Sequence, residues 1–229
     1  MYNESSIIAN TAVELHRYMS EHFGEDFELI FADDGSRDGS ADIVNNLALP
    51  NVKVVGYEKN QGKGCAVRHA VLSSVGDVVL FTDADLAYGI DIIEDSVKIL
   101  EKKEYPILVA SRAKHKEGYE GYTFIRKLAS RTYITILNIF GGIKISDAQC
   151  GFKGFSGDVG REIFSHCQTN NFAFDLEFIL FAQKKKLKIY ELPAKIINHR
   201  ESKVNVIKDA VRMLKQIAII KKHVKSTDF

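Results

Sequence analysis

The chain has 229 residues, 45% of them hydrophobic, with 3 prolines and 16 glycines; this excludes a disordered chain and suits a domain with a substantial core. A formal net charge of +1 gives no ground for a nucleic-acid partner. The charge is uneven: residues 203–225 carry seven Lys/Arg against the single acid Asp209, so the remainder is net acidic.

Taken in chain order, the apolar pattern alternates between helical and strand periods. Ser5 or Ser6 is placed to cap a helix whose stripe is Ile8, Ala12, Leu15 and Met19. Residues 27–32 read as a strand, followed by the turn Asp33-Asp34-Gly35-Ser36 and a helix through Ile43, Val44 and Leu47. Residues 52–56 give a second strand; after the loop Asn60-Gln61-Gly62-Lys63-Gly64 a helix is expected over 66–74. A third strand over 77–82 runs into Asp83-Ala84-Asp85, a helix covers 91–103, and 107–110 is a fourth strand. Strands separated by helices of this length call for parallel pairing through right-handed crossovers. The class is therefore α/β, with a mostly parallel sheet flanked by helices.

After Ser111 the alternation stops. A polar loop over 114–121 leads to a long helix over about 124–140, the glycine-rich stretch "DAQCGFKGF", a helix near 174–184 and short strands on either side of Pro193. An amphipathic helix closes the chain over 204–224, with Ile207, Ala210, Val211, Leu214, Ile217 and Ala218 as its stripe. Cys65, Cys150 and Cys167 are odd in number and lack zinc-site spacing, so buried free thiols in a reducing compartment are expected. No apolar run approaches the roughly 18 residues of a membrane span. The start, Met-Tyr-Asn-Glu, is too polar for a secretory signal. These features point to a cytoplasmic protein, or one docked on a membrane without crossing it.

Why a buried strand should end in two carboxylates one residue apart is the central question. Ligands of open parallel sheets sit beyond the carboxyl ends of the strands. Asp33-Asp34, the loop 60–64 and Asp83-Ala84-Asp85 all fall there. Two carboxylates at i and i+2 can share a hard divalent cation with a diphosphate. A helix cap or a solvated turn would also accommodate any one such pair.

The motifs "YNE" from Tyr2, "DDGSRDGS" from Asp33, "NQGKG" from Asn60 and "TDADL" from Thr82 resemble, in order and spacing, inverting GT-A glycosyltransferases. "ASR" at 110–112, "DAQCGFKGF" from Asp147 and "FAFDLEFI" from Phe172 are similar to polyprenyl-phosphate hexosyltransferases, especially the dolichyl-phosphate glucosyltransferases and their bacterial relatives. The resemblance covers nearly the whole chain. It implies a single Rossmann-like GT-A domain, with residues 1–112 binding a nucleotide sugar (a UDP-sugar favoured), 113–203 binding the acceptor, and 204–224 as the basic helix. Tyr2, Glu4, Asp33 and Asp34 would frame the base and ribose, with Gly62, Lys63 and Gly64 beside them. Asp83 and Asp85 would face the ribose and an Mg²⁺ or Mn²⁺ ion, Asp85 being the firmer ligand. Arg112, Arg126, Ser130, Arg200 and Lys203 would grip the phosphate of a polyprenyl acceptor. The implied reaction moves glucose or mannose with inversion, at the face of a membrane.

Independent chemistry agrees in part. Arg126 and Ser130 are i and i+4, on one helix face, and a guanidinium forks onto phosphate oxygens. Asp175 and Glu177 could orient the sugar or the acceptor, or simply favour the start of their helix. His199 could serve as a base or be structural. Two departures stand out: the family places an apolar strand ahead of its "YNE" motif, so a first strand is expected to be missing or truncated here, and Ala87 stands where some relatives carry a further polar metal contact. The competing readings are a sugar nucleotidyltransferase and a non-catalytic nucleotide-sugar-binding protein.

Overall fold

The computed structural model describes residues 1–121, 134–198 and 206–228, with side chains of 206–214 outside that set. In chain order the elements are α1 (Ile8–Phe23), β1 (Leu29–Asp33), α2 (Ser40–Asn46), β2 (Val52–Gly56), α3 (Lys63–Leu72), β3 (Val78–Phe81), α4 (Ile92–Glu101) and β4 (Ile107–Ser111). A 3₁₀ turn over Arg112–Lys114 and a π-helical turn over Leu137–Gly141 precede β5 (Lys153–Ser156), α5 (Gly157–His166), α6 (Phe174–Lys184), β6 (Ile189–Pro193) and α7 (Val206–Ser226).

The first half follows the expected alternation, with local corrections. Neither Ser5 nor Ser6 caps α1: Ile7 holds the N-cap position with no side-chain bond, and the Glu4 carbonyl accepts from the Ile7 and Ile8 amides instead. The start of α3 lies three residues before the expected one, directly after Gly62, whose φ of 107° favours glycine. Pro193 ends one strand rather than dividing two, at the last position of β6 opposite Ser111. The long helix expected over 124–140 falls mostly outside the described residues.

Pairing is less parallel than the spacing predicts. Strands β1 and β2 pair parallel, as do β4 and β6, but β5 lies between β3 and β4 and runs antiparallel to both. The order is β1-β2 in one sheet and β3-β5-β4-β6 in the other. Within the larger sheet β4 is buried along its whole length. Its alternate residues face opposite ways. Ile107 and Val109 join the core under α5, α6 and the end of α7; Leu108 and Ala110 join the core under α1 and α4. The two cores are thus opposite faces of one sheet.

Strands β1 and β3 flank a groove of about 1080 Å³ lined by residues of both, by α3 and by Met1. All four residues of β3 are only partly buried, unlike those of β4. Met1 makes one parallel rung beside β1: its amino group donates to the Ala32 carbonyl at 2.5 Å, and the Asp34 amide donates to the Met1 carbonyl at 3.0 Å. This groove lies where the resemblance calls for a further strand. The carboxyl ends of β1 and β3 open into it, and the candidate site is built there.

Candidate active site

One wall of the site is a set of loops that hold one another. Asp33 accepts from the Ser36 amide and hydroxyl, closing the turn after β1. Asp34 is buried and accepts from the Tyr57 hydroxyl at 2.7 Å, Asn60 Nδ2 at 2.8 Å, and the Gln61 and Gly62 amides at 2.8 and 2.9 Å. Its carboxylate therefore shapes the 57–62 loop. Gly35 permits the close approach, since a Cβ there would lie 2.6 Å from the Asn60 nitrogen. Asn3 and Glu4 are tied to that turn and to the start of α2: the Asn3 amide donates to Ser36 Oγ at 3.0 Å and the Glu4 amide to Ser40 Oγ at 2.9 Å. Tyr2 and Glu4 line the groove, and Tyr2 is exposed.

Gly62 and Gly64 need their small size within the chain itself. A Cβ on Gly62 would lie 2.5 Å from the Asn170 carbonyl oxygen, and one on Gly64 2.4 Å from that of Thr169. The segment before α6 is what comes close. Glu177, buried in α6, accepts from the Gln168 and Thr169 amides and so ties this segment down; its role here is structural.

The floor carries the charges. Asp83 and Asp85 follow β3 and line the groove together with Lys63. Lys63 Nζ donates to Asp83 Oδ1. Burial works against the Lys63 charge, but Asp83, Asp175 and Asp85 outweigh it and hold its pKa above the ordinary value. Asp85 Oδ1 accepts from the Ala87 amide at 3.2 Å, so the residue that departs from the family pattern orients Asp85 through its backbone. Behind this pair lies a second. Lys153 Nζ sits 2.6 Å from Asp175 Oδ1 and donates to the Cys150 carbonyl at 2.7 Å, and Lys153 is 1% exposed. Burial raises the Asp175 pKa despite Lys153 and Lys63. Gly151 leaves room for Asp83, because a Cβ there would lie 2.1 Å from Asp83 Oδ2. Lys153 and Gly151 lie within the "DAQCGFKGF" motif, whose sequence pattern assigns a role to neither.

The donor set suits a hard divalent ion in kind, two carboxylates on one loop, but it is small. Among the described residues no three His, Cys, Asp or Glu side chains converge to hold a metal. Two carboxylates on one loop fit a divalent cation that takes its further ligands from outside this pair.

A second pocket of about 450 Å³ is lined by Arg112, His115, Lys116, Tyr119, Thr135 and Ser146, among others. Arg112 follows β4 and forks onto the fully buried Asp147, Nε to Oδ2 at 2.6 Å and Nη2 to Oδ1 at 2.7 Å. Its guanidinium is fixed by Asp147 rather than left to a ligand alone. Arg126, Ser130, His199, Arg200 and Lys203 lie outside the described residues. The three cysteines are buried free thiols, as expected, and burial pushes Cys150 up to about 11.

Residues 1–164 match glycosyl transferase family 2. The chain belongs to that family. A dolichyl-phosphate beta-glucosyltransferase of Trichomonas vaginalis is 35% identical over 95% of this chain and 68% of its own, and one of Saccharomyces cerevisiae is 29% identical over 96% and 72%. In fold, the family 2 chain resembles glucosyl-3-phosphoglycerate synthase from Mycobacterium tuberculosis, solved with Mn²⁺, UDP and glucosyl-3-phosphoglycerate. The TM-score is 0.68 at 16% identity, covering 100% of this chain and 78% of that one. Membership makes the chain a glycosyltransferase with a GT-A-like fold, as its motifs suggested. Among the described residues no helix is long and apolar enough to cross a membrane.

Proposed function

We propose that the enzyme transfers glucose from UDP-glucose to the phosphate of a polyprenyl lipid of the dolichyl-phosphate class, with inversion, at a membrane surface. One observation carries this reading: the carboxylates after β3 and the Arg112 pocket after β4 sit at the carboxyl ends of strands joined through β5. In this reading the diphosphate site and the acceptor-phosphate site share one end of the sheet. The similarity to dolichyl-phosphate beta-glucosyltransferases along 95% of the chain supports the choice of substrates.

In this reading residues 1–112 bind the donor. Tyr2, Glu4 and Asp33 frame the base and ribose, Asp34 holds the loop beneath them, and Asp83 and Asp85 hold Mg²⁺ or Mn²⁺. Such a cation supplies positive charge that offsets the charge growing on the departing diphosphate. Arg112, oriented by Asp147, meets the acceptor phosphate together with Arg126, Ser130, Arg200 and Lys203 from residues 113–203. A phosphate monoester has a second pKa near 6, so at neutral pH its oxygen is already a nucleophile. The protein's task is then to align that oxygen with the anomeric carbon, and no side chain need remove a proton. One in-line displacement inverts the anomeric centre.

The test is incubation of the purified protein with UDP-glucose, Mn²⁺ and a short polyprenyl phosphate, with the product's anomeric configuration read by NMR. A β-glucosyl phosphate is expected, and Asp85→Asn should lower turnover about a hundredfold or more, as loss of a charge-stabilising group does. Full turnover by Asp85→Asn in excess chelator, or hydrolysis without transfer to the lipid phosphate, would overturn the reading.

A further inference from the structure

Lys63 stands in an odd place for a lysine. It is the first residue of α3, where the helix dipole is positive and a cation gains nothing. Its ammonium instead contacts Asp83, one of the pair of acids after β3 that line the groove.

Two lysine–aspartate pairs meet under this groove, and their exposure separates them. In the Lys153–Asp175 pair the side chains are 1% and 12% exposed, a contact that solvent cannot enter. In the Lys63–Asp83 pair they are 27% and 38% exposed, so an incoming group can replace either partner. Gly151 leaves the space that the other oxygen of Asp83 occupies. With Lys63 in contact, a lone divalent cation meets an Asp83 carboxylate whose charge Lys63 already offsets. A cation arriving with a diphosphate brings anionic oxygens that can take Lys63 from Asp83.

We propose that Lys63 is an exchangeable counter-ion: it occupies Asp83 until a metal–diphosphate arrives, then moves to the diphosphate, so that the cation binds with the nucleotide and not before it. This rests on the reading that Asp83 and Asp85 hold the donor's metal. Lys63 is thus a positioning residue for Asp83 and a ligand for the donor in turn. The fixed Lys153–Asp175 pair keeps the floor in place while the exchange occurs.

The experiment measures Mn²⁺ binding by electron paramagnetic resonance, with Mn²⁺ alone and with Mn²⁺ plus UDP, for the intact chain, Lys63→Met, Lys63→Arg and Asp85→Asn. Lys63→Met should bind Mn²⁺ alone about fivefold more tightly, the upper end for losing a partly exposed ion pair. The same variant should bind UDP–Mn²⁺ more weakly, and Lys63→Arg should resemble the intact chain in both. Opposite signs are the signature, since a merely structural lysine would weaken both. Unchanged or weaker binding of Mn²⁺ alone by Lys63→Met, while UDP–Mn²⁺ still depends on Asp85, overturns the counter-ion alone. UDP that fails to tighten Mn²⁺ binding to the intact chain, with Asp85→Asn indistinguishable from it, overturns the donor-site reading and the proposal with it.

Discussion

Gly151 and Gly64 look alike in sequence, yet alanine should do different things at each. At Gly151 the atom in the way is the tip of the Asp83 side chain, which can swing aside. Gly151→Ala should therefore leave thermal stability nearly unchanged while weakening UDP–Mn²⁺ binding, because Asp83 is turned from its place. At Gly64 the obstacles are the Thr169 carbonyl oxygen and the Phe174 Cβ, at 2.4 and 2.7 Å, and backbone must move. Gly64→Ala should lower stability by about 1–3 kcal/mol, the range for overpacking. Denaturant titration beside nucleotide calorimetry separates the two, and equal losses of stability would contradict the geometry. The buried Arg112–Asp147 fork makes a sharper case. Asp147→Asn removes the carboxylate of a buried, two-pronged ion pair and should cost about 3–5 kcal/mol. Replacing both partners with methionine should cost clearly less than that single change, because both charges of the pair leave together; a double mutant as unstable as Asp147→Asn would show that shape, not charge, sets the cost.

At the scale of elements, what could be read from sequence was what local pattern determines. Strands β1 to β4 and the helices between them announce themselves by period. So do the carboxylates at β3's end, because a charged pair after an apolar run is a local signal. Strand β5 does not: Lys153-Gly154-Phe155-Ser156 holds a lysine and a glycine in four residues, and only pairing on both edges makes it a strand. Helix α5, unforeseen, contains Gly160, a weak helix former. The glycine is required from outside the helix, as a Cβ there would lie 2.0 Å from the Phe155 ring. Long-range contact overrides local preference in both, and it also brings Lys153 to Asp175. The groove between β1 and β3 yields a prediction of the same kind. Because the Met1 rung runs parallel to β1, five or six apolar residues joined ahead of Met1 would continue along β1 and bring their other edge to β3. Buried backbone groups of both strands would gain partners. A fusion carrying Val and Ile at these positions should melt several degrees higher, as about 1 kcal/mol or more of added stability does in a domain of this size. A fusion of Gly and Ser of equal length should not. If both behave alike, the groove does not accept a strand.

On the proposed function, the whole molecule must bring a polar active site to a phosphate that a lipid holds in a membrane, and the described residues offer no spanning helix. The sequence puts a basic excess on α7 with an apolar stripe beside it. The structure divides that stripe. Ile217, Ile220 and Val224 are buried in the core under α6, and Lys184 Nζ donates to the carbonyls of Val224 and Thr227 at 2.8 and 2.6 Å, so the last turns of α7 belong to the domain. Ala218, expected on the apolar face, is exposed. Among the described residues, a patch beside α7 suits a membrane: Ile139 and Phe140 on the π-helical turn are 67% and 53% exposed, and Lys221 Nζ donates to the Phe140 carbonyl. Lys222 and Lys225 are exposed nearby in the chain. Each lysine near an anionic surface contributes about 1 kcal/mol, lost as salt screens it, and two apolar side chains can insert beside them. Flotation should therefore find the protein on anionic vesicles at low salt and mostly off them at high salt or on neutral lipid. Phe140→Ser with Ile139→Ser should weaken binding to anionic vesicles and leave its salt dependence in place, while Lys222→Gln with Lys225→Gln should flatten that dependence. Transfer to a water-soluble short-chain acceptor phosphate should be unchanged in both pairs of variants, since neither touches the donor groove. Vesicle binding that ignores lipid charge, or that survives both pairs of substitutions, would move the membrane contact to another face of the molecule.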